Sequence, residues 1–220
     1  MSLLALLQLA SPALPVGAYS YSEGIEWLVE RGVLRSSADL ERWLRQELQY
    51  GAVQVEGQVL RVLYGAIAQA DNAQLDYWNR WLSAQRETEE LRHQSWQMGQ
   101  ALLRLLQDMG LFPDWVTVAL TPCNYGVAFA LTAYQWGLTL PEALVAYLFS
   151  WAANLVSAGV RAIPIGPTEG QKLLFGLHGL IHQQTQALLA ETTPPFYSCS
   201  VGLGLASMYH ETQYSRLFRS

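Results

Sequence analysis

The stretch Pro141–Arg161, PEALVAYLFSWAANLVSAGVR, limits what this chain can fold into more than any other. No charge occurs between Ala143 and Val160, and apolar residues surround almost the whole helical wheel. Such a helix either crosses a membrane or runs through the centre of a core. Thr139 and Glu142 form a capping box at its mouth, Pro141 is tolerated in the first turn, and Ile163-Pro164-Ile165-Gly166-Pro167 breaks it after Arg161. Asn154 inside the run, the close-set Glu142 and Arg161, and the lack of flanking basic loops favour the core helix over a membrane span. Ser150, Asn154, Ser157 and Arg161 fall on one narrow polar stripe, continued backwards by the small residues Ala146 and Ala143. That seam invites close approach of another backbone, either within the chain or across a homodimer.

The rest of the sequence reads as helices separated by turn chemistry. A short apolar run, Leu3–Leu9, precedes a Pro12/Pro15/Gly17 segment that cannot be regular helix. Ser20 with Glu23 predicts a capping box starting a helix through Trp27, and Ser36 with Asp39 starts the next, with Leu40, Trp43, Leu44 and Leu48 on its apolar face. Gly51 and Gly57 read as punctuation before a helix over Gln58–Gln69, and Asp71 or Asn72 caps a helix holding Trp78 and Trp81. A long helix over Arg86–Met109 carries Thr88, Leu91, Ser95, Met98, Leu102, Leu105 and Met109 at heptad spacing, which suits a bundle helix. A helix over Gly126–Trp136, one capped by Thr168 and Gln171, and a last one after Thr193 complete the series. No segment alternates like a strand. The expected fold is all-α: one domain over residues 1–220, an orthogonal helical bundle of about nine to ten helices around the central apolar helix.

Charged residues are only 14% of the chain against 51% hydrophobic and 11% aromatic, so apolar surface left over for a permanent partner is expected. A net charge of −5 and the absence of any Lys/Arg cluster argue against nucleic acid. Cys123 and Cys199 lie far apart without CxxC spacing, as free thiols in a reducing compartment would, and no basic n-region suggests a signal peptide. Catalytic and phosphate-binding motifs are missing. Glu87, Glu89 and Glu90 beside Arg86 and Arg92 read as a solvated helix face, with partner docking as the alternative. His178 and His182 are spaced to share a metal, which would make the chain a helical metal-binding hydrolase, but two ligands do not close a site and no resident metal or other cofactor is expected. The tail 207–220, rich in Tyr, Arg and Phe, has the composition of an interface hot spot; the alternative is a final helix docked on its own core.

Four segments together resemble the UreF family of urease accessory proteins: SPALPVGAYSYSEGIE, RETEELRHQSWQMG, AYLFSWAANLVSAGVRAIPIGPTEGQ and MYHETQYSRLFRS, in this order over almost the whole length. The resemblance implies a cytoplasmic, non-enzymatic chaperone that dimerises, bridges a UreD/UreH-type scaffold and a UreG-type GTPase, and supports nickel delivery to the urease apoprotein. It implies partner-binding roles for Pro12, Pro15, Gly17, Tyr19, Arg86, Glu87, His210, Glu211, Tyr214, Arg216, Leu217 and Phe218, and a close-packing or dimer seam at Ser150, Asn154, Ser157 and Arg161. Of these, Tyr214, Arg216 and Phe218 are the leading tail contacts. Cys123-Asn124-Tyr125 stands where the family pattern implies a histidine, and Cys123 could replace it as a ligand.

Overall fold

The structure, a computed structural model, describes residues 2–191 and 196–220. Among these are ten α-helices, a 3-10 turn at Ala18–Ser20 and no strand. The helices are α1 (Ser2–Leu9), α2 (Ile25–Glu30), α3 (Ser37–Tyr50), α4 (Ala52–Ala68), α5 (Asn72–Gln85), α6 (Glu89–Asp108), α7 (Tyr125–Gln135), α8 (Leu140–Ala162), α9 (Pro167–Ala190) and α10 (Val201–His210).

The apolar run forms α8, opened by the reciprocal Thr139/Glu142 capping box. This helix is long and apolar enough to cross a bilayer. Instead α1, α2, α3, α4, α7 and α9 all pack on it, which makes it the centre of the core. Leu144, Leu148 and Leu155 are fully or almost fully buried, each stabilising the fold by about 2 kcal/mol. Close crossings need small residues: a Cβ on Gly159 would lie 2.3 Å from Leu40 Cδ2 of α3, and one on Gly170 would lie 2.6 Å from Val160 Cγ2.

Several caps stand where the sequence puts them. Ser36 accepts from Asp39 N at 3.2 Å and Asp71 from Gln74 N at 3.1 Å. Thr88, expected inside the long helix, instead caps it, accepting from Leu91 N at 3.2 Å. The long helix therefore starts at Glu89 rather than Arg86. Its seam is buried from Thr88 to Leu102, half-buried at Leu105 and exposed at Met109.

Other expectations fail for identifiable reasons. Ser20 and Glu23 form no capping box, because Glu23 and Gly24 both have left-handed backbones (φ 51° and 77°) and the chain bends there before α2 begins. Gly57 punctuates nothing; it lies inside α4, where a Cβ would meet Leu188 Cδ1 of α9 at 2.7 Å. Thr168 is not a cap, since Gly166 is the N-cap and Pro167 already occupies the first turn. The predicted Thr193 cap falls outside the described residues, and the last helix, α10, begins at Val201 after Ser200.

Candidate functional site

The loop after α1, the polar stripe of α8 and the start of α6 enclose a cavity of about 100 Å³. Of the residues singled out in the sequence, Pro12, Tyr19, Arg86, Ser150, Asn154 and Ser157 all line it. The seam is thus engaged by the chain's own backbone. Asn154 Nδ2 donates to Tyr21 O at 3.4 Å, and Arg161 Nη2 donates to Tyr19 O at 2.6 Å. Gly17, at φ 74°, turns the loop towards these contacts, while Pro15 stays exposed and does not reach the cavity.

One wall of the cavity is charged. Arg86 is ion-paired with Glu56 of α4, both largely buried, so the expected solvated face does not extend to Arg86. Glu23 Oε1 accepts from Gln94 Nε2 at 2.9 Å and its Oε2 from Trp151 Nε1 at 3.1 Å. Burial raises the Glu23 carboxyl above its ordinary value, and the Arg86 guanidinium opposes that rise. Tyr125 and Tyr147 line the same space with hydroxyls that burial also pushes up.

The tail folds back onto this assembly. His210, closing α10, is fully buried between two carboxylates: Nδ1 lies 2.8 Å from Glu90 Oε2 and Nε2 lies 3.3 Å from Glu26 Oε2. Glu90 also accepts from Arg216 Nη1 at 2.8 Å, and Glu26 accepts from the backbone N–H groups of Leu217 and Phe218 at 2.6 and 2.9 Å. Phe218 is buried, with the Arg161 guanidinium 4.3 Å above its ring. Beyond it, Ser220 O accepts from Ser22 N at 2.8 Å, and Ser220 Oγ donates to Gln94 Oε1 at 2.6 Å. Gln94 therefore links the tail directly to Glu23 in the cavity.

The sequence-flagged residues divide accordingly. His210, Phe218 and Arg161 join the network around the cavity. Glu87, Glu211, Tyr214 and the Leu217 side chain face outwards, Tyr214 being fully exposed. Cys123 is buried and its thiol is pushed up by burial, so it offers no ready thiolate ligand. His178 and His182 stand on the exposed face of α9, and no group of three or more His, Cys, Asp or Glu among the described residues could hold a metal ion. The sequence reading gave Glu23 only as part of a cap and Glu90 only as part of a solvated or docking face, and it missed Glu26, Glu56 and Gln94. Glu56 carried a signal, as a lone acid inside the apolar run AVQVEGQVL. The others depend on contacts between distant segments.

The family model described as UreF matches residues 34–178. The chain belongs to the UreF family. Curated relatives agree over nearly their whole length. The urease accessory protein UreF of Trichormus variabilis is 50% identical over 98% of this chain and 94% of its own. The protein of the same name from Synechocystis sp. is 48% identical over 99% of this chain and 97% of its own. That of Azoarcus sp. is 42% identical over 100% of this chain and 96% of its own. The UreF match begins at Leu34 and ends at His178, so the N-terminal loop and the tail lie outside the span that the family model covers. The near-full-length relatives include both.

Proposed function

We propose that this UreF-family chain acts in urease maturation as an accessory chaperone. In this reading it joins a UreD/UreH-type scaffold to a UreG-type GTPase, supports GTP-dependent nickel insertion into the urease apoprotein, and has no turnover of its own. The single observation that carries the reading is the near-full-length similarity to proteins named urease accessory protein UreF.

The geometry suggests how partners would be met. Residues 207–220 present Met208, Tyr209, Tyr214 and Leu217 on the surface, large apolar or amphipathic side chains of the kind that anchor interfaces. Underneath, the two carboxylates of Glu26 and Glu90 hold the tail's backbone and His210 in place, so these anchors start from an ordered edge. The chain works in the cytoplasm, alone or as a homodimer, with the α8 helix serving as core.

A pull-down of the purified chain with UreD- and UreG-type proteins, with and without residues 214–220, tests the proposal. Capture of both partners by the full chain and loss of capture on truncation is the expected result. A full chain that holds neither partner would overturn it.

A further inference from the structure

One hydroxyl joins three helices at the end of α3. Ser200, the N-cap of α10, accepts from Ala52 N at 2.8 Å and donates to Glu47 Oε2 at 3.1 Å. It thereby caps α4 from outside, because Gly51, the N-cap residue of that helix, has no side chain to offer. Beside it, Cys199 N donates to Tyr50 O at 2.7 Å. A Cβ on Gly51 would overlap Glu47 Oε2, so the missing side chain also makes room for the carboxylate to fold back over the joint. These contacts fasten the start of α10. Its far end is fastened separately, by the Ser207–Thr88 hydroxyl pair at 2.7 Å and the Trp27–Tyr209 stack at 4.9 Å.

The joint is a poor place for a charge. Glu47 is buried in the last turn of α3, where the helix dipole is negative, and among the described residues only Ser200 donates to its carboxylate. The charges that reach it are the carboxylates of Glu23, ahead of α2, and Glu87, ahead of α6, and both repel it. Cations on the packed elements are committed elsewhere: Arg42 and Arg45 of α3 to Asp39 and Glu41, Arg86 to Glu56 of α4, Lys172 of α9 to Glu169, and Arg161 of α8 to Tyr19 O. None of these, nor Arg61 of α4, acts on Glu47. His178 and His182 lie on the exposed face of α9, His210 of α10 is enclosed by Glu26 and Glu90, Glu142 caps α8, and Glu191 accepts from Gln58. Burial, the largest cause, raises the Glu47 carboxyl up to about 7. An ionised Glu47 would have one charge-assisted hydrogen bond to set against all of this, and lifting the Cys199–Ser200 segment would admit water to it.

We propose that Glu47 and Ser200 form a proton-operated latch at the start of α10. With Glu47 neutral the joint is closed and α10 is held at both ends. With Glu47 ionised the joint opens, and α10, which presents Val201, Leu205, Met208 and Tyr209 outwards, is held at its far end alone. The acid releases its proton more readily in the open form, so opening grows as pH rises from 4.5 towards about 7 and levels off above. The latch belongs to the chain alone, so it and the partner-bridging reading can fail separately.

Amide exchange of the full chain at about pH 5 and about pH 7, expressed relative to the intrinsic rate at each pH, tests the latch. Residues 204–207 should exchange more readily than α7 at both, and their protection should fall by about tenfold or more between the two. Glu47→Gln keeps an acceptor for Ser200 but cannot ionise, so it should abolish that fall. Ser200→Ala should lower the protection of the same residues already at the lower pH. Protection of residues 204–207 that is independent of pH, that matches α7 throughout, or that still falls with pH in Glu47→Gln would overturn the latch.

Discussion

At His210 both ring nitrogens face carboxylates, so replacing the imidazole with a methyl group leaves Glu26 and Glu90 sharing a water-poor space without a partner between them. Removing one partner of a buried hydrogen-bonded group is expensive, since the acceptor left behind is still desolvated. His210→Ala should therefore cost about 2–3 kcal/mol in chemical denaturation, and amide exchange should rise first in residues 211–219. An unchanged midpoint would show that the tail is held by its apolar contacts alone. Glu47 poses a different problem. It is buried on α3 with, among the described residues, only the Ser200 hydroxyl donating to its carboxylate, at 3.1 Å, and desolvation pushes its carboxyl from 4.5 up to about 7. Below pH 4.5 the folded and unfolded chains both carry this proton. Between 4.5 and about 7 the unfolded chain releases it while the folded chain holds it, so stability falls with rising pH, by up to about 3 kcal/mol. Glu47→Gln cannot ionise, so it should flatten that slope and exceed the parent's stability at about pH 8. Parallel slopes in denaturation across this range would contradict the assignment to Glu47.

Elements meet where side chains are missing. A Cβ on Gly99 of α6 would lie 2.1 Å from Cys123 O and 2.8 Å from Asn124 C, backbone atoms that no rotamer change can move aside. The same turn is pinned by Asn124, whose Nδ2 donates to Asn79 O and Ser83 Oγ at 2.7 Å each and whose Oδ1 accepts from Ser95 Oγ at 3.1 Å. Gly99→Ala should therefore separate α6 from α7 and cost about 2–3 kcal/mol, measured by thermal unfolding. Gly65→Ala, with nothing within 4 Å, should instead be neutral or stabilising by up to about 1 kcal/mol. The contrast shows which parts of the fold were legible in the sequence. Caps at Ser36, Asp71 and Thr139, and the apolar run of α8, are local signals and appear where the sequence puts them. The sequence reads Gly57 as punctuation and leaves Gly99 unremarked inside a long helix, and neither reading gives the reason for the glycine. Only the approach of Leu188 to one and of the Cys123–Asn124 backbone to the other explains them.

For the whole molecule, the polar stripe of α8 could be read directly, but not what would lie against it. Its spacing is a property of one helix, whereas the Tyr19–Tyr21 backbone and the Phe218 ring arrive from opposite ends of the chain. The tail was legible as unusual in composition, and its anchors Glu26, Glu90 and Gln94 were not, because pairing across 126 or 191 residues leaves no local pattern. This arrangement makes removal of the tail informative. Deleting Tyr214–Ser220 uncovers the Phe218 site and frees Ser22, Gln94 and the Glu26 carboxylate from their tail partners. The core around α8 is untouched, so helical circular dichroism should be nearly unchanged. The lost Phe burial and hydrogen bonds should lower stability by about 2–4 kcal/mol. For a chain of this size that corresponds to a fall in Tm of roughly 4–16 °C. Collapse of the helical signal would mean that the tail is part of the core. A Tm equal to the parent's would mean that the tail leaves this surface in solution, with its Tyr214 and Leu217 face already free for a partner.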